Sequence, residues 1–463
     1  MKNLLLHFRS IRFTLFLSVW WFGTFSLCQV FAQNADKAMN FERTKKVQQL
    51  SGSNANTATM NKALPNSSKY FRAPASDWQY MKSITLSSAT NQDNYQIKVE
   101  LTTSNFNYSH ANSDGSDLRF YDGSSTELSY WIENWDASGT SIIWVKVPTA
   151  GTTEIVMYYG NPSASKVSSG SATFDFFDDF EDGNYDGWTS KSYTTGDFLQ
   201  METDHPLEGA YSLKLHQGKS WGYEEVWSPF ISNPDILLKV KAKQTGYEYM
   251  DKGSGMGFVV LYYNDAGTLL KALVWPVYTT TNPQTHYEWT DNASNSERVD
   301  DWNLADSQVG ERELNVSEYK PVGATKIKIK AIIQNVNVGD FWVDLFRVRK
   351  YSTSEPVVTV GEETSRIKYV ATNGSNTPPY DTWGKAATSI QTAIDAASTG
   401  DTIIVGSSGT EHGNGVYTEN VNVTKSLTIK SESGYATTTV IATNANDHVF
   451  EVTANNVTIG GEG

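Results

Sequence analysis

The sequence predicts an all-β, multidomain protein in which two antiparallel β-sandwiches precede the start of a β-solenoid. Between about residues 77 and 351, short runs alternate between apolar and polar residues. Turns rich in Gly, Asn, Asp and Ser separate these runs, and no convincing helix lies between them. After residue 400 the strands recur at intervals of about 20 residues, which is typical of a solenoid.

The N-terminus predicts a secreted protein. Three basic residues precede an apolar run at 13–27, which ends near Ala32. This pattern is typical of a signal peptide, so residues 1–32 are expected to be removed by cleavage near Ala32. A lipid anchor on Cys28 is not expected, because the residue before it is Leu27 rather than a small one. Residues 33–76, rich in Asn, Ser, Thr, Ala and Lys, are expected to form a flexible leader.

Composition limits the partners. The net charge is −14 at pH 7, and removal of the basic signal peptide would make the chain more acidic, so nucleic acid is not expected as a partner. No other apolar stretch is long enough for a membrane span. Cys28 is the only cysteine, so the mature chain is predicted to have no disulfide.

Two sandwich domains are predicted in succession. The first covers residues 77–175 and includes alternating strands near 95–101 and 142–147. The second covers residues 176–351, where the runs 238–243 and 326–330 alternate lysine with aliphatic residues. This alternation predicts lysines in water and aliphatic side chains in a core. Residues 352–366 are predicted to be a linker.

The third region, residues 367–463, begins with a predicted helix. Ile390, Ala393, Ile394 and Ala397 have helical spacing, and Thr388 is predicted to cap the helix together with Gln391. Gly400 stands where that helix should end. Two strand series follow, one near Ile403, Leu427 and Val449, the other near Val421, Val440 and Val457.

Residues 77–175 resemble the family called domain of unknown function 2341. The resemblance is carried by the motifs WQYMK at 78–82, DGSDLRF at 114–120, YWIENWD at 130–136, WVKVP at 144–148 and MYYGNP at 157–162. It implies an extracellular accessory module beside carbohydrate-active or adhesive domains, without established chemistry. Asp114, Asp117 and Asp122 are compatible with calcium ligands, but turn formation is the favoured explanation for these Asp-Gly-rich loops.

Residues 176–351 resemble calcium-containing jelly-roll carbohydrate-binding modules. The resemblance is carried by FEDG at 180–183, DGW at 186–188, EGAYSL at 208–213 and FWVDLFRV at 341–348. It implies a structural Ca²⁺ ion, which would be held by Glu181, Gly209 and Asp344, with Asp179 as an additional ligand.

Sugar binding requires aromatic faces beside polar groups. The expected glycan-binding residues are Trp221, Tyr223, Trp227, Trp275 and Trp289. The alternative for each of these side chains is packing in the sandwich core.

Residues 367–463 resemble the N-terminal part of pectin-lyase-like right-handed parallel β-helix proteins. The resemblance is carried by YVATNG at 369–374, SIQTAIDAA at 389–397, GDTIIV at 400–405, GVYTENV at 415–421 and SLTIK at 426–430. About two coils are present, and the last residues stop within a repeat, so a longer protein is expected. In the lyases of this class the catalytic residues lie on later coils, so none is assigned here.

The sequence favours a secreted or cell-surface, non-catalytic carbohydrate-binding or adhesion protein whose partner is a polysaccharide or cell-surface glycan. The alternative is the N-terminal part of a polysaccharide lyase or glycoside hydrolase with its active site beyond residue 463, and a structural surface-layer component is a third. The histidines show no zinc-site spacing, and there is no phosphate-binding loop or dinucleotide fingerprint. No catalytic constellation is therefore predicted in this chain, and whether the whole protein is an enzyme stays open.

Overall fold

A computed structural model describes residues 57–59 and 78–460, except residues 89, 125, 193–195, 219–221, 246–254, 279–286, 300–301, 335 and 337. The predicted signal peptide and most of the predicted leader lie outside the described residues. Two compact units are distinguished: Phe71–Arg366, and Ile367–Gly463 with the segment before residue 71. Within the described part of the chain, no helix is long and apolar enough to cross a membrane.

The described secondary structure is mainly β. The first strands are β1 Thr57–Thr59, β2 Tyr80–Leu86, β3 Tyr95–Thr102, β4 Arg119–Tyr121, β5 Glu127–Leu128, β6 Tyr130–Asn134, β7 Thr140–Val147 and β8 Glu154–Tyr159. The strands of the second group are β9 Phe176–Asp178, β10 Thr189–Ser192, β11 Phe198–Glu202, β12 Ser212–Gln217, β13 Tyr223–Trp227, β14 Ile236–Thr245, β15 Gly255–Tyr263, β16 Leu269–Tyr278, β17 Ser296–Arg298, β18 Trp302–Asn303, β19 Val309–Asn315, β20 Lys326–Gln334, β21 Gly339–Lys350 and β22 Val358–Ser365.

The last strands are β23 Ile367–Val370, β24 Thr402–Val405, β25 Val416–Thr418, β26 Val421–Val423, β27 Thr428–Ser431, β28 Thr439–Ile441, β29 Phe450–Val452 and β30 Thr458–Gly460. Two α-helices are described, α1 Gly170–Thr173 and α2 Ile390–Ala396. Short 3₁₀ turns lie at Tyr108–His110, Tyr287–Thr290, Ser317–Tyr319 and Trp383–Lys385.

The first sandwich packs a five-stranded sheet, in the order β22-β2-β8-β4-β5, against the three-stranded sheet β3-β7-β6. Every described pairing in these two sheets is antiparallel. Alternate strand residues such as Val99, Ile143 and Ile155 are buried between the sheets. The predicted antiparallel sandwich is confirmed.

The prediction that residues 352–366 form a linker is wrong for most of this segment. Residues 358–365 form β22, which pairs with β2 at the edge of the first sandwich. Val358 and Val360 pack against the first core. The segment is short and largely polar, so its sequence does not indicate a strand. An edge strand needs only one apolar face, and Val358 and Val360 supply it.

Asp114, Asp117 and Asp122, the candidate calcium ligands of the first sandwich, accept backbone hydrogen bonds. Asp114 accepts the Ser116 N–H at 3.0 Å, and Asp122 accepts the Thr126 N–H at 2.8 Å. The buried carboxylate of Asp117 accepts the Gly160 N–H at 2.6 Å. These bonds favour the turn explanation over calcium binding.

The second sandwich contains a seven-stranded sheet and a six-stranded sheet. The larger sheet has the order β10-β13-β20-β15-β16-β17, and β18 also pairs with β16. The smaller sheet has the order β11-β12-β21-β14-β19, with β9 paired to β21. Phe258, Val260, Ile329 and Phe341 lie between the sheets in the largest apolar core. Burial of these alternate side chains holds the two sheets face to face.

Charged and aromatic side chains join the two sandwiches within one compact unit. Glu133 of the first sandwich pairs with Arg347 and Lys239 of the second, each at 2.8 Å. The Trp144 indole N–H donates to the same carboxylate at 2.6 Å, and the Arg347 guanidinium lies 4.6 Å from the Trp144 ring. A buried charge needs compensating partners, and here they come from both sandwiches.

The C-terminal unit is a parallel β-helix. One sheet stacks β23-β24-β27-β30, a second pairs β25 with β28, and a third pairs β26 with β29. The backbone of β1 lies antiparallel to β28. Ile403, Ile429 and Ile459 occupy equivalent positions in successive coils of the first sheet. Their side chains, with those of Val421 and Val440, form the solenoid core.

The structure corrects the strand series predicted for this unit. Val421 belongs with Phe450, and Val440 pairs with Tyr417, so the strands form three sheets rather than two series. All of these runs are short and apolar, so spacing alone did not assign them to sheets. The helix begins at Ile390 and its cap is Ser389, whose hydroxyl accepts the Thr392 N–H.

Candidate functional site

One face of the seven-stranded sheet points away from the sandwich core, and we call it the outer face. Cross-strand register defines its residues, because side chains directly opposite each other lie on the same side of a sheet. Trp227 lies opposite Lys330, Lys330 opposite Val259, and Val259 opposite Val274. The alternate residues on these strands, such as Val226 and Phe258, point into the core.

The outer face has an apolar half and a polar half. On β15 and β16, Val259, Leu261 and Val274 form a small apolar cluster that Trp289 covers. On β10, β13 and β20, strand alternation places aromatic and charged side chains outward. These are Lys191, Tyr223, Glu225, Trp227, Lys326, Lys328 and Lys330. The polar half of the outer face therefore combines aromatic rings with charges.

A buried charge cluster lies at the centre of the polar half. Lys330 is only 1% exposed, and its ammonium lies 3.3 Å from the Glu225 carboxylate and 2.9 Å from that of Asp291. Burial raises the pKa of Glu225, although the neighbouring Lys330 acts to lower it. The lysine was expected in water, and its burial is a correction. The cost of burying it is offset by two carboxylates from different segments.

Two polar atoms beside this cluster have no hydrogen-bond partner among the described residues. They are the indole Nε1 of Trp227 and the Oδ2 of Asp291. The Lys330 ammonium lies 5.7 Å from the centre of the Trp227 ring. A buried polar atom without a partner costs free energy, and both atoms are shielded from solvent by the side chains around them.

The structure separates the five expected sugar-binding aromatics. Tyr223 and Trp227 lie half-buried on the polar half of the outer face, and Trp221 lies outside the described residues. Trp275 is fully buried in the core, stacked on Trp302 with ring centres 5.6 Å apart. Trp289 is also fully buried, over the apolar half. Neither of these two buried rings presents a face to a glycan, because packing covers both.

Periodicity within single strands does not identify Glu225, Lys330 and Asp291 as site residues. The alternation in β13 and β20 already placed Glu225 with Trp227, and Lys330 with Lys328. It did not show that these two strands are neighbours, or that the segment carrying Asp291 returns to them. About 100 residues separate Trp227 from Lys330 in the sequence.

Two of the expected calcium ligands approach one loop. The Glu181 carboxylate accepts the Ala210 N–H at 2.8 Å, and Asp344 accepts the Glu208 N–H at 3.2 Å and the Ser212 hydroxyl at 2.8 Å. These bonds place both carboxylates beside residues 208–212, which include Gly209.

Gly209 lies directly against an acidic side chain, and two neighbouring carboxyl groups have raised pKa values. Gly209 has a φ of +59°, and an added Cβ would clash with the Glu181 carboxylate. Burial raises the pKa of Asp344 to about 7 and also raises the pKa of Asp179. A nearby cation would favour the charged carboxylates. Among the described residues, however, no three His, Cys, Asp or Glu side chains converge as a metal site. A calcium site here needs oxygen ligands from the backbone as well.

A cavity of about 490 Å³ lies in the first sandwich, between residues 103–109 and the stretch 360–363 of β22. Several of its polar groups already bond within the protein. The Lys82 ammonium donates to the Gly361 carbonyl at 3.0 Å, and the Tyr108 hydroxyl donates to the Leu101 carbonyl at 2.8 Å. The outer face, with partly exposed aromatic rings beside charged side chains, is therefore the stronger candidate.

The fold and this face define a β-sandwich protein with an aromatic and charged sheet surface, joined in sequence to a parallel β-helix. Residues 114–191 match the family described as domain of unknown function 2341. An uncharacterized protein of Methanocaldococcus jannaschii is 32% identical over 134 residues, which are 25% of this chain and 24% of that protein. The chain therefore matches about a quarter of that relative's length.

Two solved structures show distant likeness. The enzymatically active domain of bacteriophage CBA120 tailspike protein 4 has a TM-score of 0.26 and 10% identity, over 41% of this chain and 23% of that one. The C-terminal family 22 carbohydrate-binding module of Clostridium thermocellum Xyn10B has a TM-score of 0.23 and 13% identity, over 39% and 95%. Likeness at this level carries no conclusion about function.

Proposed function

We propose that this chain is a secreted carbohydrate-binding protein and that the polar half of the outer face holds a polysaccharide. The observation that supports the proposal is the buried Lys330–Glu225–Asp291 cluster beside the rings of Trp227 and Tyr223. Aromatic faces stack on the C–H surfaces of sugars, and fixed charges accept and donate hydrogen bonds to hydroxyls. The outer face provides both within one sheet.

The position of the cluster suits recognition of hydroxyl groups. The buried Lys330 ammonium holds the Asp291 carboxylate, which is 27% exposed, in one place, so little ordering of Asp291 is needed on binding.

We also propose a structural Ca²⁺ ion in the second sandwich. Glu181 and Asp344 would supply carboxylate oxygens, Gly209 a carbonyl oxygen, and Asp179 a further carboxylate. Such an ion would link the start of the domain, the loop at 208–211 and strand β21, which is a useful constraint in a sandwich without disulfides.

The binding proposal is tested with the full chain and a panel of plant and microbial polysaccharides, by affinity gel electrophoresis and titration calorimetry. Trp227→Ala and Tyr223→Ala are each expected to weaken binding about tenfold, because each removes a stacking surface. Phe198→Ala is the matched control, since Phe198 is a partly exposed aromatic on the smaller sheet, stacked on His216. It should bind as the parent does.

Thermal unfolding of each variant separates loss of the site from loss of the fold. Trp227 is half-buried, so its replacement costs some stability, and Tyr223→Ala provides an independent test at the start of β13. Absence of binding to the whole panel, or undiminished binding by both variants, would show that this face is not the site.

A further inference from the structure

A row of lysines runs along the outer face beside the aromatic rings. Lys326, Lys328 and Lys330 alternate on β20, and all three point away from the core. The ammonium groups of Lys326 and Lys328 each lie 4.7 Å from the centre of the Phe230 ring. Phe230 is 47% exposed, so this lysine and aromatic surface is open to a ligand.

The charges of Lys326 and Lys328 are not neutralised as that of Lys330 is. Among the described residues, neither ammonium forms an ion pair with a carboxylate, and Lys326 donates only to the Asp265 carbonyl oxygen, at 3.4 Å. Lys191, across the sheet, lies 5.0 Å from the centre of the Tyr223 ring and likewise has no ion-pair partner in the described range. The polar half of the outer face thus has an excess of positive charge.

The smaller sheet shows the opposite arrangement. Most of its lysines are paired, namely Lys214 with Asp340 at 3.3 Å, Lys239 with Glu133 and Glu311, and Lys241 with Glu208, whereas Lys243 lies over the Trp342 ring. The whole chain carries a net charge of −14. An unpaired row of lysines in so acidic a protein creates a local positive potential that reaches about 8 Å at physiological salt.

We propose that the polysaccharide bound by the outer face is anionic, with uronate carboxylate or sulfate groups that contact Lys326 and Lys328. This inference rests on the proposed function of the face and specifies its ligand class. Trp227 and Phe230 would pack against sugar rings, while the two lysines bind the acidic substituents. Nucleic acid is disfavoured, because duplex DNA carries one charge per about 1.7 Å and the acidic protein repels such a dense polyanion.

The sharpest ligand comparison uses polygalacturonate and the same polymer after full methyl esterification. The two share a backbone and differ in charge, so they separate stacking from electrostatics. The full chain is expected to bind the acidic form at least about tenfold more tightly, and rising salt should weaken that binding. Alginate and chondroitin sulfate extend the anionic panel to other acidic groups.

The variant comparison uses the double substitution Lys326→Gln with Lys328→Gln. It is expected to weaken binding of the preferred anionic polymer about tenfold, from two surface charge contacts, and to leave binding of the esterified polymer unchanged. Lys243→Gln is the matched control, because Lys243 lies 4.5 Å over the Trp342 ring on the opposite side of the sandwich. This control should not change binding.

Several results would overturn the inference while leaving the proposed function intact. They are equal affinity for acidic and esterified polymer, binding only to neutral glycans, or an equal loss in the Lys243 control. Tighter binding of DNA than of any anionic glycan would also overturn it. Absence of binding to every polysaccharide would instead remove the proposed function itself, so the two failures are distinguishable.

Discussion

Replacement of Glu133 by glutamine tests whether the charged contact between the two sandwiches stabilises the fold. Burial acts to raise the pKa of Glu133, but the Arg347 charge and hydrogen bonds from Lys239 and Trp144 outweigh it and lower the pKa to about 2. The Glu133 side chain is only 15% exposed, so solvent screens these interactions weakly.

The expected magnitude follows from that pKa. A fall from 4.5 to about 2 corresponds to about 3 kcal/mol of stabilisation of the charged form. Burial lowers the pKa of Arg347, so desolvation of the guanidinium offsets part of this gain. We therefore expect Glu133→Gln to reduce the free energy of unfolding by about 2 kcal/mol at pH 7.

The effect should depend on pH in a defined direction. The folded-state pKa lies below the unfolded value, so the stabilisation is fully present above pH 4.5 and is lost as the pH falls through about 2. Urea unfolding of the full chain and the variant, followed by tryptophan fluorescence at pH 7, 5 and 3, measures this difference.

A matched control uses the same lysine. Glu311 also pairs with Lys239, but its side chain is 32% exposed, so Glu311→Gln should cost under about 1 kcal/mol. A loss for Glu133→Gln no larger than this control, or a loss that is the same at pH 7 and pH 3, would refute the reasoning.

Other predictions concern stability of the second sandwich. Burial raises the pKa of Glu224 to about 7, above its unfolded value of 4.5, so the folded state favours the neutral carboxyl group. The stability that this neutral form contributes is lost as the pH rises through 7. Glu224→Gln should raise the free energy of unfolding by about 2 kcal/mol at pH 8 and by less at pH 5, as measured by thermal unfolding. An equal increase at both pH values would contradict this prediction. Addition of EGTA should lower the melting temperature by about 5 °C, reversed by calcium; unchanged melting would exclude the proposed ion. Gly209→Ala should lower the free energy of unfolding more than Gly187→Ala does. Both glycines have a positive φ, but only Gly209 faces the Glu181 carboxylate. Equal losses in denaturant unfolding would contradict the predicted clash.

The candidate site shows how far sequence reasoning reaches. Alternation along β13 and β20 predicts which residues share a face of each strand, but it does not say which face points outward, and the structure alone placed Tyr223 and Trp227 on the outer face. Alternation did not distinguish these rings from Trp275, which lies in an apolar strand but points into the core. A strand in a sandwich has one buried face, and the choice between faces depends on which strands are its neighbours.

Strand alternation also predicted the wrong environment for Lys330, which is buried. A lysine in an alternating strand predicts a solvated side chain, because desolvation of an isolated ammonium is costly. The structure brings Glu225 and Asp291 to it from distant segments, and only this pairing makes its burial tolerable.

By itself the sequence determined the all-β class, the order of two sandwiches before a β-helix, and the resemblance later matched at residues 114–191. These follow from local periodicity and motifs, which each strand carries within its own residues. Only the tertiary structure decided that β22 returns to the first sandwich, that Glu133 links the two sandwiches, and that aromatic rings and lysines share the outer face. Each of these depends on contacts between segments far apart in the chain, and the free energy of such contacts is defined only once the sheets have assembled.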